Sequence, residues 1–257
     1  VLHAAVGILV GDGLLHPSAP APVPAWDDDE RAAITLEELL EMRDGLQWSE
    51  DYADAGVSDV IEMLFGSGST DVAAFAEARP LEHAPGSVFN YSSGTSNIVS
   101  GIVGRTVGGP AAVEHLLLDR LLRRIGMRTA DPRFDDAGPF IGSSYVYAPA
   151  RDWARFGLLY LRDGCWDGER ILPEGWVDHG RRVRSVDPED GRLYGAHWWV
   201  EPDDQARGTF TAIGYEGQAI SICPALDAIV VRLGSTKDPQ KPNLAPWRKA
   251  VFDALAG

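Results

Sequence analysis

Two short stretches of this 257-residue sequence carry groups arranged for chemistry. Tyr91-Ser92-Ser93-Gly94 sets three hydroxyls at a corner where a loop runs into a helix, a place from which a side chain can project into a cleft. Ile213-Gly214-Tyr215-Glu216-Gly217-Gln218 ends one predicted strand and begins the next with two glycines. Glycine beside a strand permits close approach of a ligand to the backbone, and N–H groups at such an edge can bind an oxyanion. Taken alone, the same residues read first as a buried tyrosine with a satisfied hydroxyl and a β-turn that needs positive φ.

Other familiar constellations are missing from the sequence. The six histidines (His3, His16, His83, His115, His179, His197) are scattered and no Cys-x-x-Cys occurs, so neither metal ligation nor a cofactor is expected. No G-x-x-x-x-G-K or G-x-G-x-x-G stands between a strand and a helix, which argues against nucleotide binding, and there is no G-x-S-x-G elbow. No serine is followed three residues later by lysine; Ser235-Thr236-Lys237 has the wrong spacing.

The elements that must position the two stretches read as helices first and strands second. Val1 to Val10 is an apolar helix with no cap before it, ended by Gly11-Asp12-Gly13. Pro17 to Trp26 is an extended proline-rich spacer, and Asp27 to Glu30 a solvated turn. Thr35-Leu36-Glu37-Glu38 is a capping box that opens a short helix, with Gly45 in the position of its C′ residue. Gly66 to Thr70 is a flexible loop, followed by helices predicted over 72–78, 95–107, 111–127 and 150–161, and a short one started by Pro173. Beyond about Asp190 the segments 193–200, 208–213, 218–223 and 228–233 are β-branched and aromatic, spaced as an antiparallel meander, and a helix over 245–256 closes the chain. This order implies an α+β fold, divided into a mainly helical region 1–189 and a strand-rich region 190–257.

With 38 acidic against 23 basic residues and a net charge of −15, a nucleic-acid partner is excluded in expectation, because phosphate binding relies on clustered Lys and Arg. No apolar run approaches the roughly 18 residues of a membrane span. The two cysteines, Cys165 and Cys223, read as buried thiols rather than a disulfide framework. A soluble protein follows, its oligomeric state open and its compartment unassigned, with the cytoplasm slightly favoured.

Asn90-Tyr91-Ser92-Ser93-Gly94 resembles the Tyr-x-Asn/Ser motif of the serine β-lactamase and penicillin-binding-protein superfamily. The stretches Ile34–Leu46, Trp48-Ser49-Glu50-Asp51-Tyr52, Pro85–Gly94, Gly142–Leu161, Ile171–Val177 and Ile213–Gln218 are similar, in the same order, to its esterase and 6-aminohexanoate-dimer-hydrolase branch. The resemblance implies a β-lactamase-like fold, an all-α region packed on an antiparallel sheet. It also implies a small ester or linear amide as substrate, cleaved through an acyl-enzyme. Tyr91 then matches the general acid–base tyrosine, and Ser93 its hydrogen-bonding companion. Tyr215 matches the donor of one oxyanion N–H, flanked by Gly214 and Gly217, with Gly217 or Gln218 as donor if the register is shifted. Tyr52 matches a tyrosine that hydrogen-bonds the scissile amide nitrogen.

The sequence departs from that pattern in two respects. Relatives carry Ser-x-x-Lys at the start of the helix that continues as Ala5-Val6-Gly7-Ile8-Leu9-Val10, which puts that pair, the family's N-terminal helix and its first strands ahead of Val1. The expectation is the C-terminal part of a serine hydrolase, inactive by itself. The motif-three Lys or His is replaced by Tyr215, which favours a neutral substrate over a β-lactam. A D-amino-acid peptidase or β-lactamase, and a non-catalytic binding module on the same scaffold, are the alternatives.

Overall fold

An apolar run with no polar stripe makes a helix that is buried all round, and the chain begins with one. In the computed structural model, which describes residues 1–52, 58–237 and 244–257, α1 (Leu2–Gly11) is buried from Leu2 to Leu9. The chain divides into two units, Val1–Leu121 with Asp131–Tyr147, and Leu122–Ala130 with Ala148–Gly257.

The first unit adds α2 (Leu36–Leu40), α3 (Asp59–Phe65), α4 (Val72–Glu77), α5 (Ser93–Val107) and α6 (Pro110–His115), with a short antiparallel pair β1 (Asp131–Pro132) and β2 (Val146–Tyr147). The capping box is present: the Glu38 amide donates to Thr35 Oγ1 at 3.2 Å and the Thr35 amide to Glu38 Oε2 at 2.8 Å. The helix it opens stops at Leu40, not near Gly45, because Met42 turns the backbone left-handed at φ 56°. Gly45 serves another purpose: a Cβ there would collide with the His83 carbonyl. The proline-rich spacer is not extended throughout, since Pro24–Trp26 winds into a 3₁₀ turn that buries Trp26, whose indole donates to the Glu77 carbonyl at 2.9 Å. The helix expected over 111–127 is α6 followed by a π-helical stretch, Leu116–Leu122. Its i→i+5 bonds bring residues five apart toward one face, and Leu116, Leu117, Leu121 and Leu122 are all buried.

The second unit opens with α7 (Ala150–Leu161), at its predicted bounds, then the hairpin β3 (Cys165–Trp166) and β4 (Glu169–Arg170), and α8 (Trp176–Arg181). A six-stranded antiparallel meander follows in the order β10-β9-β8-β7-β6-β5, formed by β5 (Ser185–Val186), β6 (Leu193–Tyr194), β7 (Trp199–Val200), β8 (Phe210–Ile213), β9 (Ala219–Cys223) and β10 (Ala228–Arg232), and α9 (Leu244–Ala256) ends the chain. The segment 193–200 is thus a hairpin rather than one strand: Gly195 to Trp198 make the turn, with His197 at φ 58°. Helix α7 approaches β9 and β10 closely, because Gly157 carries no side chain against Ile229 and Ile220. Tyr160 on α7 meets Trp198 at 4.6 Å between ring centroids, and Trp198 meets Phe210 at 5.0 Å, which gives this unit an aromatic core. Of the apolar residues of α9, Phe252 is buried while Trp247 and Leu255 are exposed. Cys223 is buried and Cys165 only half-buried, both as free thiols.

The change of character near Asp190 separates helix-rich from strand-rich sequence; by compactness, α7 and α8 belong with the sheet. The fold is α+β. No helix among the described residues is long and apolar enough to cross a membrane.

Candidate active site

Helix α5 begins two residues earlier than its apolar pattern indicates, because a polar cap starts it. Ser92 is the N-cap, its Oγ accepting from the Thr95 amide at 2.9 Å, and Ser93 is the first helical residue. Tyr91 is the half-buried residue just before the cap, at the corner itself. Asn90 pins the approach: its amide donates to the Met42 carbonyl at 2.9 Å and its Nδ2 to the Trp48 carbonyl at 3.2 Å.

One carboxylate organises this corner. Glu50 Oε2 accepts the Trp48 indole N–H at 2.6 Å and the Ser93 amide at 2.9 Å, while Oε1 accepts the Ser93 hydroxyl at 2.5 Å and the Tyr52 hydroxyl at 3.1 Å. A carboxylate on the first amide of a 15-residue helix also meets the positive end of its dipole. Tyr52 is 44% exposed, with its hydroxyl turned onto Glu50. Desolvation of that hydroxyl, followed by the neighbouring Glu50 charge, raises the Tyr52 pKa well above the usual phenol value; Ser93 opposes the rise and Tyr91 adds to it. Tyr52 and Ser93 therefore share Glu50, and Tyr91 is near enough to Tyr52 to act on its charge.

Two further contacts hold the corner from beneath. Gly94 lies against the six-membered ring of Trp48, and a Cβ at Gly94 would stand 2.5 Å from Cζ3. Asp44, buried, accepts from Thr95 Oγ1 at 2.7 Å and from the Leu46 amide at 2.8 Å, and its burial raises its pKa. Deeper along α5, the fully buried Asn97 exchanges hydrogen bonds with Ser143, Nδ2 donating to Oγ at 3.1 Å and Oδ1 accepting from the amide at 3.3 Å.

In the second unit, Gly214, Tyr215 and Gly217 form the connection from β8 to β9. The Gly214 amide donates to the Gln218 carbonyl at 2.8 Å, the Gly217 amide to the Gly214 carbonyl at 3.2 Å, and the Gln218 amide to the Tyr215 carbonyl at 3.5 Å. The positive φ values fall on Glu216 (54°) and Gly217 (82°), whereas Gly214 is at −112° and any residue could adopt its conformation. Gly217 is required for space as well, since a Cβ would collide with Leu244, and its carbonyl accepts from Arg232 Nη1 at 2.9 Å. The Tyr215 side chain is 61% exposed.

The beta-lactamase family model matches residues 1–254. The chain belongs to the beta-lactamase family. Its relatives there include the 6-aminohexanoate-dimer hydrolase of Paenarthrobacter ureafaciens, 28% identical over 255 residues, which covers 91% of this chain and 63% of that protein. The chain thus spans less than two thirds of the length of this curated relative. Among solved structures, a provisionally assigned 6-aminohexanoate-dimer hydrolase from Bacillus anthracis superposes with a TM-score of 0.84 at 20% identity, over 99% of this chain and 69% of that one. An octameric penicillin-binding-protein homologue from Pyrococcus abyssi superposes at 0.73 with 17% identity, over 98% and 64% of the two chains. At these identities the structures testify to the beta-lactamase-like fold.

Within that fold, sequence reasoning missed Glu50, although it quoted the stretch that contains it. The available signal was spacing: Trp48, Glu50 and Tyr52 alternate, and an extended chain sends alternate side chains to one side. The second unit also holds a cavity of about 160 Å³ between Glu201, Thr209, Ser221, Arg248 and Phe252, where Arg248 pairs with Glu201 at 3.1 Å. None of the sequence-predicted site residues lines it.

Proposed function

We propose that this chain forms the greater part of a serine hydrolase that cleaves a small ester or short linear amide through an acyl-enzyme. The observation that carries the reading is the corner before α5, where Tyr91 precedes the Ser92 cap and Ser93 shares the Glu50 carboxylate with Tyr52. In this reading Tyr91 takes the proton of the nucleophile and returns it to the leaving group, and Ser93 orients the partners of that transfer. Tyr52 faces the scissile nitrogen. The Tyr215 amide supplies one oxyanion N–H, with Gly217 or Gln218 as donor if the register is shifted.

The sequence from Val1 to Gly257 contains no Ser-x-x-Lys. The nucleophile and its lysine therefore belong, in this reading, to residues outside it, and the 257-residue chain alone turns nothing over. A phenol of ordinary pKa near 10 needs a neighbouring cation to act near neutrality, and that lysine is the cation this reading requires. The name of the Paenarthrobacter ureafaciens relative, 6-aminohexanoate-dimer hydrolase, supports the amide side of the substrate range.

The test is hydrolysis of p-nitrophenyl esters and of a 6-aminohexanoate dimer by the full-length gene product. Turnover is expected, with Tyr91→Phe lowering kcat by about 10²–10⁴. Inertness toward both substrates, or indifference to Tyr91→Phe, sinks the reading. Rapid nitrocefin turnover would replace it with a β-lactamase.

A further inference from the structure

We infer that the cavity between the sheet of the second unit and α9 is a binding site for a small α-amino acid. The ligand's carboxylate pairs with Arg248 and its ammonium with Glu201. Nothing in this depends on what the corner before α5 catalyses.

Arg248, on α9, lines the cavity and is only 7% exposed. A guanidinium only donates, and among the described residues a single acceptor meets it: Nη2 donates to Glu201 Oε1 at 3.1 Å. Nε is enclosed without an acceptor, which leaves the Nη edge to face whatever the cavity holds. Glu201 is fixed from the sheet side. Its Oε1 also accepts the Thr211 hydroxyl at 2.8 Å, and Thr211 is bonded at 2.9 Å to Ser221 on the neighbouring strand. Glu201 Oε2 accepts from none of the described residues. The pair thus leaves a buried cation short of acceptors beside a carboxylate oxygen short of donors, a costly state for buried charge. A partner carrying both complements relieves both ends.

The rest of the polar lining is already engaged. Asp204 accepts the Thr209 hydroxyl and pairs with Arg207 at 3.3 Å, and Lys249 pairs with Asp253 at 2.7 Å. Two carboxylates and two cations line the space, so a phosphate dianion meets as much repulsion as attraction there. A simple carboxylate satisfies only Arg248, and an amine only Glu201. Because Nη2 and Oε1 are 3.1 Å apart, the two ligand charges must also be close, as they are on one α-carbon. The cavity of about 160 Å³ equals roughly five waters' share of liquid, room for a small amino acid and not for a peptide. Phe252 and Pro246 give it an apolar wall for a short aliphatic side chain.

The probe is L-valine, titrated calorimetrically into the full-length protein. Saturable binding is expected. Isovalerate, which lacks the ammonium, and isobutylamine, which lacks the carboxylate, should each bind at least about tenfold more weakly. Arg248→Gln should weaken L-valine by a similar factor. If that variant does not fold, Ala245→Phe decides: Ala245 is exposed and lines the cavity, so a ring there fills the space while Arg248 and Glu201 keep their pair. Absence of L-valine binding overturns the inference, as does equal binding of the single-charge analogues or tighter binding of inorganic phosphate. Full affinity in folded Arg248→Gln, or in Ala245→Phe, overturns it too.

Discussion

The aromatic face of Trp48 rests on the backbone of Gly94, two residues past the Ser92 cap, so closely that a methyl group there would sit 2.5 Å from ring atom Cζ3. The same indole donates to Glu50, so one glycine lets a single side chain both pack beneath the corner and tie it to the acidic hub.

Gly94→Ala is therefore expected to destabilise the protein, against the rule for a helix interior. Alanine gains about 1 kcal/mol in helix propensity, and the overlap with Trp48 costs about 1–3 kcal/mol. Gly104→Ala in the same helix is the control: its nearest neighbour, Val113, stands 3.8 Å from the new Cβ, so the propensity gain should appear unopposed. Urea midpoints of the two variants should move in opposite directions. A higher midpoint for Gly94→Ala would contradict the packing.

Ser92→Ala removes the acceptor for the Thr95 amide and should cost about 1 kcal/mol, with Ser92→Asp recovering most of it. In the full-length protein the Ala variant should also lose turnover beyond what its stability explains, because Tyr91 is the adjoining residue.

Asp44 carries a pH signature. Burial raises its pKa above the usual 3.8, so the folded state holds the proton more tightly than the unfolded one. Its contribution to stability is then present at low pH and is lost as pH rises from that value toward the raised one. Asp44→Asn keeps an acceptor for Leu46 and turns the other end into a donor to Thr95, so its stability relative to the parent should improve as pH rises above the ordinary 3.8. Asp44→Ala leaves both groups buried and unpaired, at about 1–3 kcal/mol each. A pH-independent difference between the Asn variant and the parent would refute the account.

His197 carries the opposite sign. Its Nε2 is sealed from solvent and, among the described residues, has no hydrogen-bond partner; burial pushes its pKa down from 6.5 to about 3. The unfolded imidazole takes up its proton first, so stability is intact above 6.5 and is lost as pH falls toward about 3. Asparagine tolerates the left-handed backbone at φ 58°. His197→Asn should accordingly flatten the acid limb of Tm against pH, and an unchanged limb would show that this group is not responsible.

What was legible in the sequence was local. The Thr35–Glu38 capping box, the all-round apolar α1 and the bounds of α7 each depend on residues within one or two turns of one another. Helix α3 was not legible, because its N-cap Ser58 makes no side-chain cap bond and its Asp59 is held by the Ser49 amide and Arg79 from elsewhere in the chain. The turn at His197 was hidden for a related reason: the residues around it are β-branched or aromatic enough to read as one continuous strand, and the strand pairing overrides that pattern.

The division at the site follows the same physics. Residue types and their order along the chain determined the α+β class, the Tyr91–Ser93 corner and the glycines between β8 and β9, since these are matters of hydrophobic period, capping chemistry and backbone freedom. Only the tertiary structure decided that Glu50 gathers Trp48, Tyr52 and Ser93. A hydrogen bond between residues 43 positions apart leaves no period in the sequence, and the direction in which a hydroxyl spends its one proton is set by the acceptor that the fold brings to it.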